Sequence, residues 1–339
     1  MQRFFLAALL AATGAPALAN DSVAELGTGG IVLSRSDSIA MESEDLFLSR
    51  DKVTVDYVFR NGSDKDIDTI VAFPMPDIEG NPNEVPSIPD DRDNFLDFEA
   101  TMDGKPLSPQ LEQRAFAAGL DISADLKAQN VPFYPFGDTA SDALAKLPQS
   151  VADDWLERGI IVLDEFDDGS GWKTVRRPYW QLRSTYWWRA TFPAGKPVRV
   201  SHRYKPSVGA TVGLNFYVDG KFGDQYDVYK KRYCMDADFE KAVRKVMAIP
   251  GPEGNSPRYE SRLSYILTTG GNWAAGTIGK FRLTVDKSYP ASLVSFCGDG
   301  VKKIGPTTFQ MTAQDFDPAH DIDILLLDRP QDLNAGGGN

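Results

Sequence analysis

Apolar residues in this chain recur mostly at every second position. In Lys52–Arg60, Val53, Val55, Tyr57 and Phe59 alternate with Thr54, Asp56 and Arg60, and only Val58 interrupts the polar face. A period of two sends successive side chains to opposite faces, the pattern of a half-buried strand. Asn61-Gly62-Ser63-Asp64 supplies turn chemistry, and Ile67–Phe73 returns as a second strand. Pro74 and Pro76 end it, because proline cannot donate to a ladder. The Pro-, Asp- and Asn-rich stretch from Asp77 to Asn94 predicts a long loop, after which Leu96–Met102 resumes an extended pattern closed by Asp103-Gly104. Farther on, Val198, Val200, His202 and Tyr204 alternate with Arg199, Ser201, Arg203 and Lys205. Phe281, Leu283 and Val285, then Leu293–Phe296, then Ile322, Ile324 and Leu326 mark further strands.

Helical spacing is confined to a few places. Leu111, Ala115 and Ala118 follow Ser108-Pro109, a reasonable helix start, and Asp121–Gln129 and Ser150–Arg158 are short candidates between prolines. These predict a helical insertion over Leu107–Leu163, followed by an acidic, glycine-containing loop at Asp164–Trp172. Lys205–Gly213 has the character of a linker. Beyond it, Phe239, Val243, Val246 and Met247 form one stripe of a helix begun by Asp236 or Asp238 and stopped by Pro250-Gly251. The pattern predicts a mainly β protein with two β-sandwich-like domains: residues 20–209 with the helical insertion, and 210–330 with one helix. A flexible tail, 331–339, follows. The insertion is expected at the periphery, which puts Leu96–Met102 and Val198–Tyr204 in one domain.

The first nineteen residues change the picture. Arg3, the short apolar run Phe4–Ala12 and Ala17-Leu18-Ala19 have the order of a secretory signal peptide, with cleavage expected before Asn20. No later stretch approaches the length of a membrane-spanning helix. Composition is ordinary for a globular protein at 42% hydrophobic and 25% charged residues. The formal net charge of −12 becomes one unit more negative without Arg3, and such a surface repels phosphate backbones, so nucleic acid is excluded as a partner. Two cysteines, Cys234 and Cys297, form either one disulfide or two buried thiols, and an oxidising compartment favours the disulfide.

Several stretches also carry a family resemblance. They are Asp21–Ser43, the block from Tyr57 to Ile78 (YVFRNGSDKDIDTIVAFPMPDI), Thr191–Gly209 (TFPAGKPVRVSHRYKPSVG) and Ser295–Phe309 (SFCGDGVKKIGPTTF). Together they resemble a family of exported bacterial proteins known only as domain of unknown function 4424. The resemblance implies a Gram-negative periplasm and no established catalytic residues. The early strands are also similar to the vault protein inter-alpha-trypsin domain, a β-sandwich, through Tyr57–Asn61 and Phe73–Pro76. The D-x-S-x-S metal motif that accompanies that domain is missing from this chain.

Candidate chemistry is sparse. There is no G-x-S-x-G, H-E-x-x-H or P-loop motif, and no G-x-G-x-x-G after a strand. Of the two histidines, His202 falls on the apolar face of its strand and reads as a hydrogen-bonded core residue, while His320 sits in a turn. Asp164, Asp167 and Asp168 are oxygen ligands of the kind calcium takes, although Phe166 breaks the EF-hand pattern and a solvated acidic loop is the simpler account. Tyr179, Trp180, Trp187 and Trp188 are candidates for an exposed aromatic binding surface; adjacent Trp187 and Trp188 must point to opposite faces of a strand, so one belongs to the core. No cofactor is expected. The expected function is a non-enzymatic periplasmic or secreted protein that binds another protein or an envelope component. The alternative is a carboxylate-dependent hydrolase acting on glycans or peptides, which requires two Asp or Glu side chains converging on a cleft.

Overall fold

A computed structural model describes residues 20–27, 30–81, 86–87, 94, 96–211, 213–251 and 256–334. The expected signal segment, residues 1–19, and residues 335–339 of the expected tail lie outside the described residues. The protein is mainly β, built on one eight-stranded sheet. Its strands lie in the order Lys302–Lys303, Thr308–Phe316, Ala274–Asp286, Ile39–Leu48, Val53–Asn61, Pro197–Tyr204, Glu99–Met102 and Lys105–Pro106. The predicted strand of Lys52–Arg60 is central, with Val53, Val55, Tyr57 and Phe59 each at most 1% exposed.

Two smaller sheets share this sheet's hydrophobic core. The first runs Leu120–Asp121, Gln110–Ala117, Gln181–Phe192, Ile67–Pro74, Ser22–Gly27 and Gly30–Ser34, with Ile78–Glu79 pairing beside Gln181–Phe192. Phe59 meets Phe192 edge to face at 5.9 Å, and His202 meets Trp188 in the same way at 5.4 Å. The second runs Leu293–Phe296, Ile322–Asp328, Tyr259–Tyr265, Val208–Ala210 and Pro86–Ser87. Leu263, Tyr265, Ile324 and Leu326 join Leu46, Leu283 and Phe59 in one buried cluster.

The expected boundary between residues 209 and 210 therefore falls inside a continuous core. Ile39–Leu48, from the first half of the chain, pairs in parallel with Ala274–Asp286 from the second. Glu99–Met102 pairs directly with Pro197–Tyr204 across the intervening insertion. The presumed linker Lys205–Gly213 contains a strand, Val208–Ala210, because the second small sheet continues through it to pair with Tyr259–Tyr265.

The insertion is only partly helical. Ser123–Ala128, Gly137–Ala145 and Gln149–Glu157 are helices around a satellite core of Leu126, Leu144, Trp155 and Trp180. Gln110–Ala117, expected as a helix, is a strand paired with Gln181–Phe192 from Gln110↔Trp187 to Phe116↔Gln181. Ala115 and Ala117 are buried there while Phe116 is half-buried, so tertiary pairing overrides a spacing that short alanines satisfy either way. The expected acidic loop is instead a hairpin, Ile161–Asp167 with Trp172–Pro178, because backbone pairing continues through the acidic residues to Asp167↔Trp172.

In Ile39–Leu48 the register shifts between Met41 and Ser43, which opposes an extra residue to its partner strand and changes which side chains face inward. Met41 is buried before the shift, and Glu44, Leu46 and Leu48 are buried after it. The shift requires a glycine next door: a β-carbon on Gly279 would stand 2.7 Å from the carbonyl oxygen of Glu42.

Candidate ligand-binding cleft

At one end the large sheet and the second small sheet part to leave a cavity of about 850 Å³. Alternation within Ala274–Asp286 and Thr308–Phe316 sends Phe281, Leu283 and Met311 to its floor, where all three are buried. Val294 and Phe296, from the edge strand of the small sheet, with Phe309 and Phe316 of the large sheet, are half-buried lining residues. Phe281 and Phe316 stack at 4.4 Å between ring centroids. The lining is thus an apolar trough that the fold leaves uncovered.

The rim is polar and mostly acidic. Asp236, Asp299, Asp317, His320 and Asp321 stand around the opening with Lys303. Asp236 caps the Ala237–Met247 helix by accepting from the Phe239 amide at 2.7 Å, as its position before that helix predicts. Asp321 accepts from the amides of Leu267 and Thr268 at 3.1 and 3.2 Å and from the Thr268 hydroxyl at 2.9 Å. Burial nevertheless pushes its carboxyl above the ordinary range. Cys234 and Cys297 are joined as a disulfide at the same rim, with α-carbons 5.0 Å apart. The bridge ties the junction of the Tyr226–Tyr233 and Ala237–Met247 helices to the end of Leu293–Phe296, and so fixes one wall of the cleft.

The sites read from sequence fall elsewhere. Trp180 is buried in the satellite core with its indole donating to the Phe133 carbonyl at 2.8 Å. Trp188 is buried in the main core, Trp187 packs half-buried on Ile70 and Ala72, and Tyr179 alone is exposed. The four aromatics do not form one surface. The tryptophan that does face solvent is Trp172, 78% exposed at the tip of the acidic hairpin; its only signal in the sequence is the Gly-Ser-Gly that precedes it.

The three aspartates are engaged locally. Asp164 pairs with Arg177 at 3.1 Å, Asp167 accepts from the amides of Gly169 and Gly171, and Asp168 pairs with Lys173. Hydrogen bonds from Lys173 and Ser170 hold the Asp168 carboxyl down at about 2. Among the described residues no group of three or more His, Cys, Asp or Glu side chains is placed to hold a metal ion. His202 is a core residue as expected, but neither ring nitrogen has a hydrogen-bond partner among the described residues. The cleft itself was missed because its lining comes from strands that sequence alternation marks only as core.

Among the described residues no helix is long and apolar enough to cross a membrane. A search of curated proteins finds no match. Among solved structures, the chain is similar to a "putative nutrient binding protein" from Legionella pneumophila subsp. pneumophila str. Philadelphia 1. The identity is 17% and the TM-score 0.43, over 90% of this chain and 72% of that one. The family described as domain of unknown function DUF4424 matches residues 19–325, most of the chain, and the chain belongs to that family.

Proposed function

We propose that this protein is a non-enzymatic binding protein of the cell envelope whose cleft receives an apolar, positively charged segment of a partner protein. The observation that carries this is the uncovered trough of Phe281, Phe296, Phe309, Met311 and Phe316 under an acidic rim. Its volume, about 850 Å³, lies within the range of ligand sites, and mostly apolar walls with a few polar groups are their usual composition. Carboxylates stand at the rim and not on the floor, which favours charge complementarity to a ligand over acid–base chemistry inside the cleft. The disulfide and the Ala17-Leu18-Ala19 motif support an oxidising compartment outside the cytoplasm.

The test is fluorescence anisotropy with two labelled amphipathic peptides of identical apolar pattern, one carrying lysines and the other glutamates. The lysine peptide is expected to bind, with Phe296→Asp and Asp317→Lys each weakening it about tenfold, equivalent to about 1.4 kcal/mol. Equal affinity for both peptides, or binding untouched by either substitution, overturns the proposal.

A further inference from the structure

Asn20, Asp21 and Ser22 are completely buried, although they begin the described chain. The Asn20 side-chain amide donates to Glu44 at 3.1 Å and to the Leu267 carbonyl at 3.4 Å. Its side-chain oxygen accepts from the Tyr57 hydroxyl and from the Asp21 amide. The Asn20 carbonyl accepts from Thr269 at 2.8 Å, and the Trp273 indole donates to the Asp21 carbonyl at 2.8 Å. Tyr57 and Tyr265 share a hydrogen bond of 2.9 Å, and Tyr265 donates to Glu44 at 3.3 Å. The segment is gripped from the large sheet and from the Thr268–Asn272 turn alike.

This grip encloses two carboxyl groups, with no Lys or Arg side chain among the described residues acting on either. Neither oxygen of Asp21 has a hydrogen-bond partner among the described residues. His202 Nε2 stands 3.6 Å from Asp21, but burial lowers its pKa to about 3, so it is neutral. Burial pushes Glu44 up to about 8, and burial with the Glu44 charge raises Asp21 as well. The other titratable groups in the cluster, Tyr57, Tyr204 and Tyr265, carry no positive charge. An uncompensated buried carboxylate costs several kcal/mol, and the raised carboxyls relieve that cost by holding protons; one of them would ionise instead beside a seated cation.

The sequence offers one at the right residue. Hydrolysis of the Ala19–Asn20 bond by a signal peptidase adds water across it, leaving a carboxylate on Ala19 and a protonated amine on Asn20. We propose that the acidic pocket around Asp21 and Glu44 is a binding site for this α-ammonium, so that removal of the signal segment supplies the charge that completes the core. One ammonium balances one carboxylate, and the second carboxyl group keeps its proton. The proposal rests on export and cleavage, and is independent of what the cleft binds.

Two forms of the protein, made in an oxidising host, test it. One begins at Asn20 after removal of a fusion partner; the other carries three extra residues, Gly-Ser-Ala, before Asn20. Acetic anhydride labelling of the Asn20 amine, read by mass spectrometry, is expected to be at least tenfold slower in the native than in the denatured chain. The extended form is expected to melt lower, and Glu44→Gln to shrink the difference between the two forms. A native amine labelled as fast as the denatured one overturns the proposal. So does an extended form of equal melting temperature, or an exported protein whose first residue is not Asn20.

Discussion

His202 shows what burial does to a single titratable side chain. Its ring packs against Tyr57, Phe73, Phe98 and Trp188, and desolvation lowers its pKa from 6.5 to about 3. In the unfolded chain the ring takes up a proton near pH 6.5, whereas in the fold it stays neutral down to about pH 3. At this group the unfolded state thus binds more protons within that window, and the contribution of His202 to stability falls as pH drops through it by up to about 1.4 kcal/mol per unit. Glu44, raised to about 8, holds its proton in the fold where the unfolded chain has lost it and gives the opposite slope down to about pH 4.5. His202 is therefore read as a difference: in urea titrations from pH 6.5 to 4, His202→Leu should lose less stability with falling pH than the unsubstituted protein, and equal slopes would assign acid sensitivity to other groups. The alternation of Val198–Lys205 indicated that His202 lies inside. It did not show that Asp21 would be its neighbour, because that contact joins residues far apart in the chain.

At the scale of elements, the amphipathic strands were the most legible part of the sequence. Val53–Asn61, Pro197–Tyr204 and Leu293–Phe296 lie where alternation put them, since a face buried on one side imposes a period of two. The Ala237–Met247 helix and its Asp236 cap were equally plain. Gln110–Ala117 was not, because its pairing partner lies seventy or so residues away in Gln181–Phe192. The disulfide was legible as a pairing, but its position on the wall of a cleft was not. It closes a separation of 63 residues, worth about 4 kcal/mol in the chain-entropy model. Reduction, or Cys234→Ser with Cys297→Ser, should lower the melting temperature by several degrees in scanning calorimetry; no shift would mean that the helix junction holds the wall unaided.

For the whole molecule, the large sheet decides how many parts there are. Because Ile39–Leu48 pairs with Ala274–Asp286, the two halves of the chain contribute adjacent strands to one sheet and side chains to one core. The sequence suggested two domains because the glycine- and proline-containing stretch Lys205–Gly213 has the character of a linker, and a parallel pairing between distant strands leaves no local mark. A fragment covering residues 20–209 should therefore fail to fold alone. It is expected to lack a cooperative thermal transition and the near-ultraviolet circular dichroism of packed aromatics; a sharp transition from that fragment would restore the two-domain view.

On the proposed route of export, the same pairing constrains the order of events. A chain crossing a membrane from its N-terminus delivers Ile39–Leu48 long before Ala274–Asp286 follows. Until then one side of a ten-residue strand offers its backbone groups to any passing extended segment, the circumstance in which β-proteins aggregate. Sheet closure must wait for nearly complete translocation, and contacts so distant in sequence form slowly. On that proposed route, the newly delivered protein has an interval in which its unpaired edge calls for a holding chaperone, and the strand to be shielded is Ile39–Leu48.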